Sequence, residues 1–193
     1  MNLNDFAKEV HQNAVEHGWW DEERSFGEIV ALCHSELSEA LEEYRAGRPL
    51  VYGDGFSMDR RITELPDIMA LQLKPEGIAV ELADCVIRIL DWFGKSDVNV
   101  DDVMAAGENF RSLVAGRNNT TFGGLIADLH LCLSTAYQRH INGYSWSAFP
   151  YMGLCVTLVI DWMEAAREDA ESILLLKHQY NKTRPYRHGG KAL

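Results

Sequence analysis

Two short stretches carry residues whose type and spacing could do chemistry, Glu36-Leu-Ser-Glu39 and Glu81-Leu-Ala-Asp84. In each, two acids stand three residues apart inside a strongly helical segment, so they share one side of a helix, a turn apart. Two such helices side by side would bring four carboxylates to one point. Four convergent carboxylates repel one another unless they hold a hard cation, and Mg²⁺ takes oxygen ligands. Glu36, Glu39, Glu81 and Asp84 are therefore candidate Mg²⁺ ligands.

The elements that must position these acids can be read around them. Ser25 and Glu28 have the spacing of a capping box and predict a helix that runs to about Arg45, before Gly47 and Pro49. At 100° per residue, Glu36, Glu39 and Glu43 share an azimuth with Ile29 and Leu32, whereas Ser35, Ser38, Glu42 and Arg45 take the outer face. Carboxylates aimed at a core must be paired or bind metal. Pro75 and Glu76 suit the first turn of the next helix. That helix is apolar nearly all round, which predicts a buried one. Its polar exceptions, Glu81, Asp84, Arg88 and Asp91, cluster on one side. An ion pair between Asp84 and Arg88 is the bland account of that cluster. It leaves the excess of acids without a cation once the second helix arrives.

The rest of the chain reads as further helices, at about Leu3–His17, Val100–Ala115, Thr121–His140, Ala148–Ala166 and Asp169–Thr183, and as no large sheet. Residues 47–75, punctuated by glycine and proline, predict a short strand pair or an irregular loop on the substrate side of the acids. Trp19 and Trp20 cannot both enter one helix face; one or both could stack on a nucleobase. Cys33, Cys85, Cys132 and Cys155 sit in apolar runs and read as buried thiols of a reducing compartment. The formal charge of −11 argues against general binding to nucleic acid or membrane. No basic and apolar leader opens the chain, and no uncharged apolar run reaches about 18 residues. A cytoplasmic protein of one domain, residues 1–193, is expected.

The helices repeat. Thr121-Phe-Gly-Gly-Leu-Ile-Ala-Asp-Leu-His130 follows Ser25-Phe-Gly-Glu-Ile-Val-Ala-Leu-Cys-His34 at an offset of 96, and Cys155 to Trp162 follows Cys85 to Trp92 at an offset of 70. The offsets differ by 26, about the length of the 47–75 insertion. Repeat one thus covers about 25–118 and a degenerate repeat two about 121–191. The acids do not repeat: Glu36, Glu39, Glu81 and Asp84 face Cys132, Thr135, Tyr151 and Leu154. Acids needed only for packing would be needed in both copies. The tail is the reverse case. Lys177, Lys182, Arg184, Arg187 and Lys191 follow the last acid, Glu171, and Arg can grip phosphate oxygens bidentately. Acids of copy one and cations of copy two would make one composite site.

In these residues the chain resembles the MazG-like, all-α nucleoside triphosphate pyrophosphohydrolase superfamily, with the dimeric-type dUTPases, the dCTPases and the phosphoribosyl-ATP pyrophosphohydrolases. Glu36-x-x-Glu39 with Glu81-x-x-Asp84 matches its ExxE and ExxD signature. Lys177, Asn181, Arg184 and Lys191 look like its lysine, asparagine and arginine motif. Lys74-Pro-Glu-Gly-Ile before the second acid pair also resembles MazG-like chains. Two departures stand out: the family's extra acid before ExxE is Ser35 here, and the 47–75 insertion separates the motifs. Single-copy members pair their four-helix-bundle-type units as dimers. The resemblance therefore implies an all-α internal pseudo-dimer of two degenerate tandem repeats, acting as a monomer or as a homodimer of that unit. It implies cleavage of a nucleoside triphosphate to monophosphate and pyrophosphate in nucleotide-pool housekeeping. Mg²⁺, or Mn²⁺ in its place, would sit on Glu36, Glu39, Glu81 and Asp84. Glu39 or Glu43 would orient or deprotonate water. Lys177, Asn181, Arg184, Arg187 and Lys191 would bind phosphate, and Trp19, Trp20 or His34 the base. A silent nucleotide- or metal-binding regulator, a structural helical module and a phosphoribosyl-ATP hydrolase are the alternatives.

Overall fold

The computed structural model describes residues 1–53, 65–114 and 121–190, and nearly all their regular structure is helical. The order is α1 (Leu3–Glu16), α2 (Phe26–Arg45), β1 (Tyr52–Gly53), α3 (Leu65–Ala70), β2 (Pro75–Glu76), α4 (Ile78–Ser96), α5 (Val100–Glu108), α6 (Arg111–Val114), α7 (Phe122–Ile141), α8 (Phe149–Ala165), α9 (Ala170–Lys182) and α10 (Arg187–Gly190), with a 3₁₀ turn at Ser145–Ser147. Helix α4 is the hub. It packs against α1, α2, α8 and α9, and its residues from Ile78 to Phe93 are buried almost without interruption. A helix apolar on every side gains most by taking that central place.

Local chemistry sets the ends. Ser25 and Glu28 form the expected capping box at the start of α2. Gly18, just past α1, takes φ 76, a left-handed conformation that glycine adopts without a Cβ clash. Helix α4 starts later than the sequence implies. Pro75 and Glu76 lie in a two-residue strand, antiparallel to Tyr52–Gly53, and Gly77 is the N-cap at φ 116. No side chain caps α4 there. Instead the Ala79 and Ile78 N–H groups donate to the Leu50 and Pro49 carbonyls, at 2.9 and 3.5 Å. A Cβ on Gly77 would fall 2.6 Å from the Leu50 oxygen. The 47–75 region therefore does structural work as well: its described parts form the strand pair, the short helix α3 and the backbone cap of α4. The sequence foresaw the strand pair but neither α3 nor α10.

Helices α2 and α7 cross antiparallel, with His34 stacked on His130 and their Nδ1 atoms 2.6 Å apart. Around them contacts come in pairs that follow the sequence offsets. Phe26 meets His140 and Phe122 meets Tyr44, both at 4.6 Å. Phe26 meets Trp92 at 5.3 Å and Phe122 meets Trp162 at 5.2 Å. Asn2 and Asn99 cap α1 and α5 alike, and Asn4 Nδ2 donates to Asp101 at 2.8 Å. All four cysteines are buried free thiols. Among the described residues no helix is long and apolar enough to cross a membrane.

Candidate functional site

The face-to-face packing of α2 and α4 brings together three of the four predicted acids. Glu36, Glu39 and Glu81 each place a carboxylate oxygen within 4.8 Å of the others. Glu36 is buried, Glu81 half-buried and Glu39 exposed, so the cluster opens from the core toward solvent. Asp84 is turned away from this trio toward α9. Its carboxylate takes an ion pair from Lys177 Nζ at 2.8 Å and a hydrogen bond from Asn181 Nδ2 at 3.3 Å. Arg88 pairs across the helices and not with Asp84 as in the bland account of the cluster: it donates to Glu36 through Nε at 2.8 Å and Nη2 at 2.6 Å. Among the described residues the four acids thus have ion pairs with two cations, Arg88 and Lys177, and Glu39 and Glu81 with none.

The electrostatics follow that shortage. Burial, helped by Asp84, Glu36 and Glu39 and opposed by Lys177, pushes the Glu81 carboxyl up to about 7. Burial also raises Glu36, against the pull of Arg88. Burial alone would raise Asp84 too, but Lys177 and Arg88 hold it below the usual range. Lys177 is held above its ordinary value because Asp84 and Glu81 outweigh its burial. A carboxylate near neutrality beside two others is a group short of positive charge. The donor set is all oxygen, as Mg²⁺ or Mn²⁺ requires, so these residues fit a hard divalent cation. Asn181 adds a second sign of a missing partner. Its Oδ1 is buried and accepts no hydrogen bond, which buried acceptors rarely leave undone.

The remaining candidates separate. Glu43 lies on the same helix face but accepts from the Tyr52 hydroxyl at 3.0 Å. Arg184 and Asn181 line a cleft beside Asp84, together with Trp19, Arg24 and Arg88. Sequence reasoning missed Arg24; its guanidinium lies over the Trp19 ring at 4.8 Å, inside that cleft. Trp20 is spoken for, donating its indole N–H to Asp91 at 2.9 Å and packing near Trp92. His34 is stacked on His130, away from the acids' open side. Arg187 turns back on the α1–α2 turn, where its backbone N–H donates to the His17 carbonyl at 3.0 Å and its Nε to the Gly18 carbonyl at 3.1 Å. Tyr186 packs over Gly18 and bonds Asp21 beside it. Lys191 lies outside the described residues.

Compared with protein-family models, with curated proteins and with solved structures, the chain matches none.

Proposed function

We infer that the chain is a Mg²⁺-dependent nucleoside triphosphate pyrophosphohydrolase, built as an internal pseudo-dimer with one surviving site. The observation that carries the reading is the trio Glu36, Glu39 and Glu81 within 4.8 Å, with Arg88 on Glu36 the one ion-pair partner of the trio among the described residues. The pseudo-dimer rests on the paired contacts across α2 and α7, and on a residue that meets its own counterpart, His34 with His130. Only one copy carries the acids, so only one copy would act.

In the reaction, a water oxygen attacks phosphorus in line and the phosphoanhydride bond between the α and β phosphates breaks, releasing monophosphate and pyrophosphate. Bound Mg²⁺ would neutralise phosphate charge and activate water. The chain's own groups have separable tasks. Glu39, exposed and near Ser35 Oγ at 3.3 Å, is free to orient the attacking water and accept its proton. Glu36 is fixed by Arg88 and Glu81 stands close to a proton-exchanging state at neutral pH. Lys177 and Asn181 on one face of α9, with Arg184 just beyond its end, would reach phosphate oxygens. Glu43 is a less direct candidate for the base because Tyr52 already occupies it.

The test is a screen of common and damaged ribo- and deoxyribonucleoside triphosphates with Mg²⁺, reading pyrophosphate. Turnover with one or more of them is expected, and Glu39→Gln should abolish it while the circular dichroism of the fold is unchanged. Triphosphate binding without product over hours would make the chain a silent regulator instead.

A further inference from the structure

We propose that the neutral cavity between α3 and α9 receives the nucleobase of the substrate; this rests on the triphosphate reading above. The cavity measures about 250 Å³ and is walled by Ile68, Gln72 and Leu73 on one side and by Leu176, Gln179 and Tyr180 on the other. That is a little below the roughly 300–1,000 Å³ of sites for drug-sized ligands, and suits a single planar heterocycle.

Helix α9 divides its work between two faces. Lys177 and Asn181, spaced i and i+4, face Asp84, and Arg184, just past the end of the helix, lines the arginine-lined cleft with Asn181. Leu176, Gln179 and Tyr180, spaced i, i+3 and i+4, face the cavity. A nucleoside triphosphate has the same division. Its phosphates are a polyanion that needs cations, and its base is a flat, uncharged ring with donors and acceptors on its edge. Burying charge without a partner is costly. The polyanion therefore belongs on the face with Lys177, Arg184, Arg24 and Arg88, and the ring on the face without formal charge. Tyr180, half-buried, offers a ring on which a base can stack. The two glutamine amides each carry donors and an acceptor, which is what reading a base edge requires.

A second, independent observation lies in the sequence. Ile68, Gln72 and Leu73 belong to the 47–75 insertion, and the copy that lost its acids has no counterpart of it. The wall and the acids are kept in the same copy, as a substrate pocket and its chemistry would be. The assignment also relieves the tryptophans of a role their surroundings oppose: Arg24 covers one face of Trp19, and Trp20 is hydrogen-bonded to Asp91.

The test is calorimetry, in Mg²⁺, of α,β-imido nucleoside triphosphates and of inorganic tripolyphosphate. Wild type is compared with Gln179→Trp, which lays an indole across the cavity from an exposed position, and with Gln179→Leu, which removes one amide; thermal melts check the folds. We expect Gln179→Trp to weaken nucleotide binding at least tenfold and to leave tripolyphosphate unchanged, and Gln179→Leu to narrow the affinity differences among the four bases. Unchanged nucleotide affinity in Gln179→Trp, an equal loss for tripolyphosphate, or no nucleotide binding by wild type would overturn the proposal. Nucleotide binding that Gln179→Trp weakens, in a wild type that releases no pyrophosphate from natural triphosphates, would uphold the cavity and overturn hydrolysis.

Discussion

At the scale of single residues, the site is a small group of acids in which each charge has a different fate. Glu81 has the most consequential one. Its folded-state value of about 7 lies above the ordinary carboxylate value, so between those two values the folded chain holds a proton that the unfolded chain has released. The stability that Glu81 contributes to the metal-free protein should therefore fall as pH rises from about 4.5 to about 7, so wild type should lose stability relative to Glu81→Gln over that range. Melting temperatures at pH 5.5 and 8, without divalent ions, check this. Mg²⁺ should raise the melting temperature of wild type more at pH 8 than at pH 5.5, and should do little for Glu81→Gln. Arg88 is the other decisive residue. Replacing it with Met strands a buried Glu36 without its cation, and breaking a buried pair costs about 3–5 kcal/mol. The Arg88 side chain is 32 % exposed, so a loss nearer 2 kcal/mol is expected. Glu36→Gln in the same chain should restore most of it in chemical denaturation, because the stranded charge is then gone. The acid pairs were legible in sequence because an i, i+3 spacing fixes a helix face. Their partners were not. Arg88 could pair within its own helix or across to α2, and only the packing of α2 on α4 decides between Asp84 and Glu36.

At the scale of elements, α4 places half the site, and its start is what the sequence misplaced. Proline and an acid in series read as a first helical turn. Here the backbone of Pro49 and Leu50 occupies that place and caps the helix from a distance in sequence that local rules cannot see. Gly77 permits the arrangement through its φ of 116 and its lack of a Cβ. Gly77→Ala must either strain that backbone or push Leu50 away. A loss of about 1–3 kcal/mol is expected, read by urea denaturation. Since Glu81 sits in the first turn of α4, the same variant should weaken Mg²⁺-dependent stabilisation more than an equally destabilising change far from α4, such as Ser25→Ala in the capping box of α2. The capped and periodic helices were readable for the opposite reason. Their signals, the Ser25 and Glu28 box and the apolar circumference of α4, are local and agree with the tertiary packing. Helix α3 is six residues long and α10 four, too short for a periodic pattern to declare itself.

At the scale of the whole molecule, the repeated sequence and the paired contacts meet in one construction. Helix α9 follows the acid-free helices in sequence, yet it packs on α4 and gives Lys177 and Asn181 to Asp84. Helix α5 follows the acid-bearing α4, yet it packs on α8, and its closeness is enforced where the Gly107 and Gly153 backbones approach residues of the opposite helix. Helices α5 and α9 thus exchange places, each packing on the helix that precedes the other, and α9 brings Lys177 and Asn181 to the acid-bearing α4. The repeated spacing was legible in sequence, but the exchange was not, since an offset reports likeness and not contact. The exchange can be tested by making residues 1–114 and 121–193 as separate chains. Each alone would expose the apolar faces of α5 or α9, together with the inner faces of α2 or α7, a surface that small chains do not bury unaided. Each should therefore show weakened helical circular dichroism and no Mg²⁺-dependent thermal shift. Mixing them should restore both signals with concentration dependence, because Lys177 of one chain must reach Asp84 of the other. A shorter chain ending at residue 98, which lacks α5, should pair with 121–193 less tightly by at least tenfold while still accepting Lys177. A chain ending at residue 114 that shows the full thermal shift without its partner would mean that the acids hold Mg²⁺ with no help from α9.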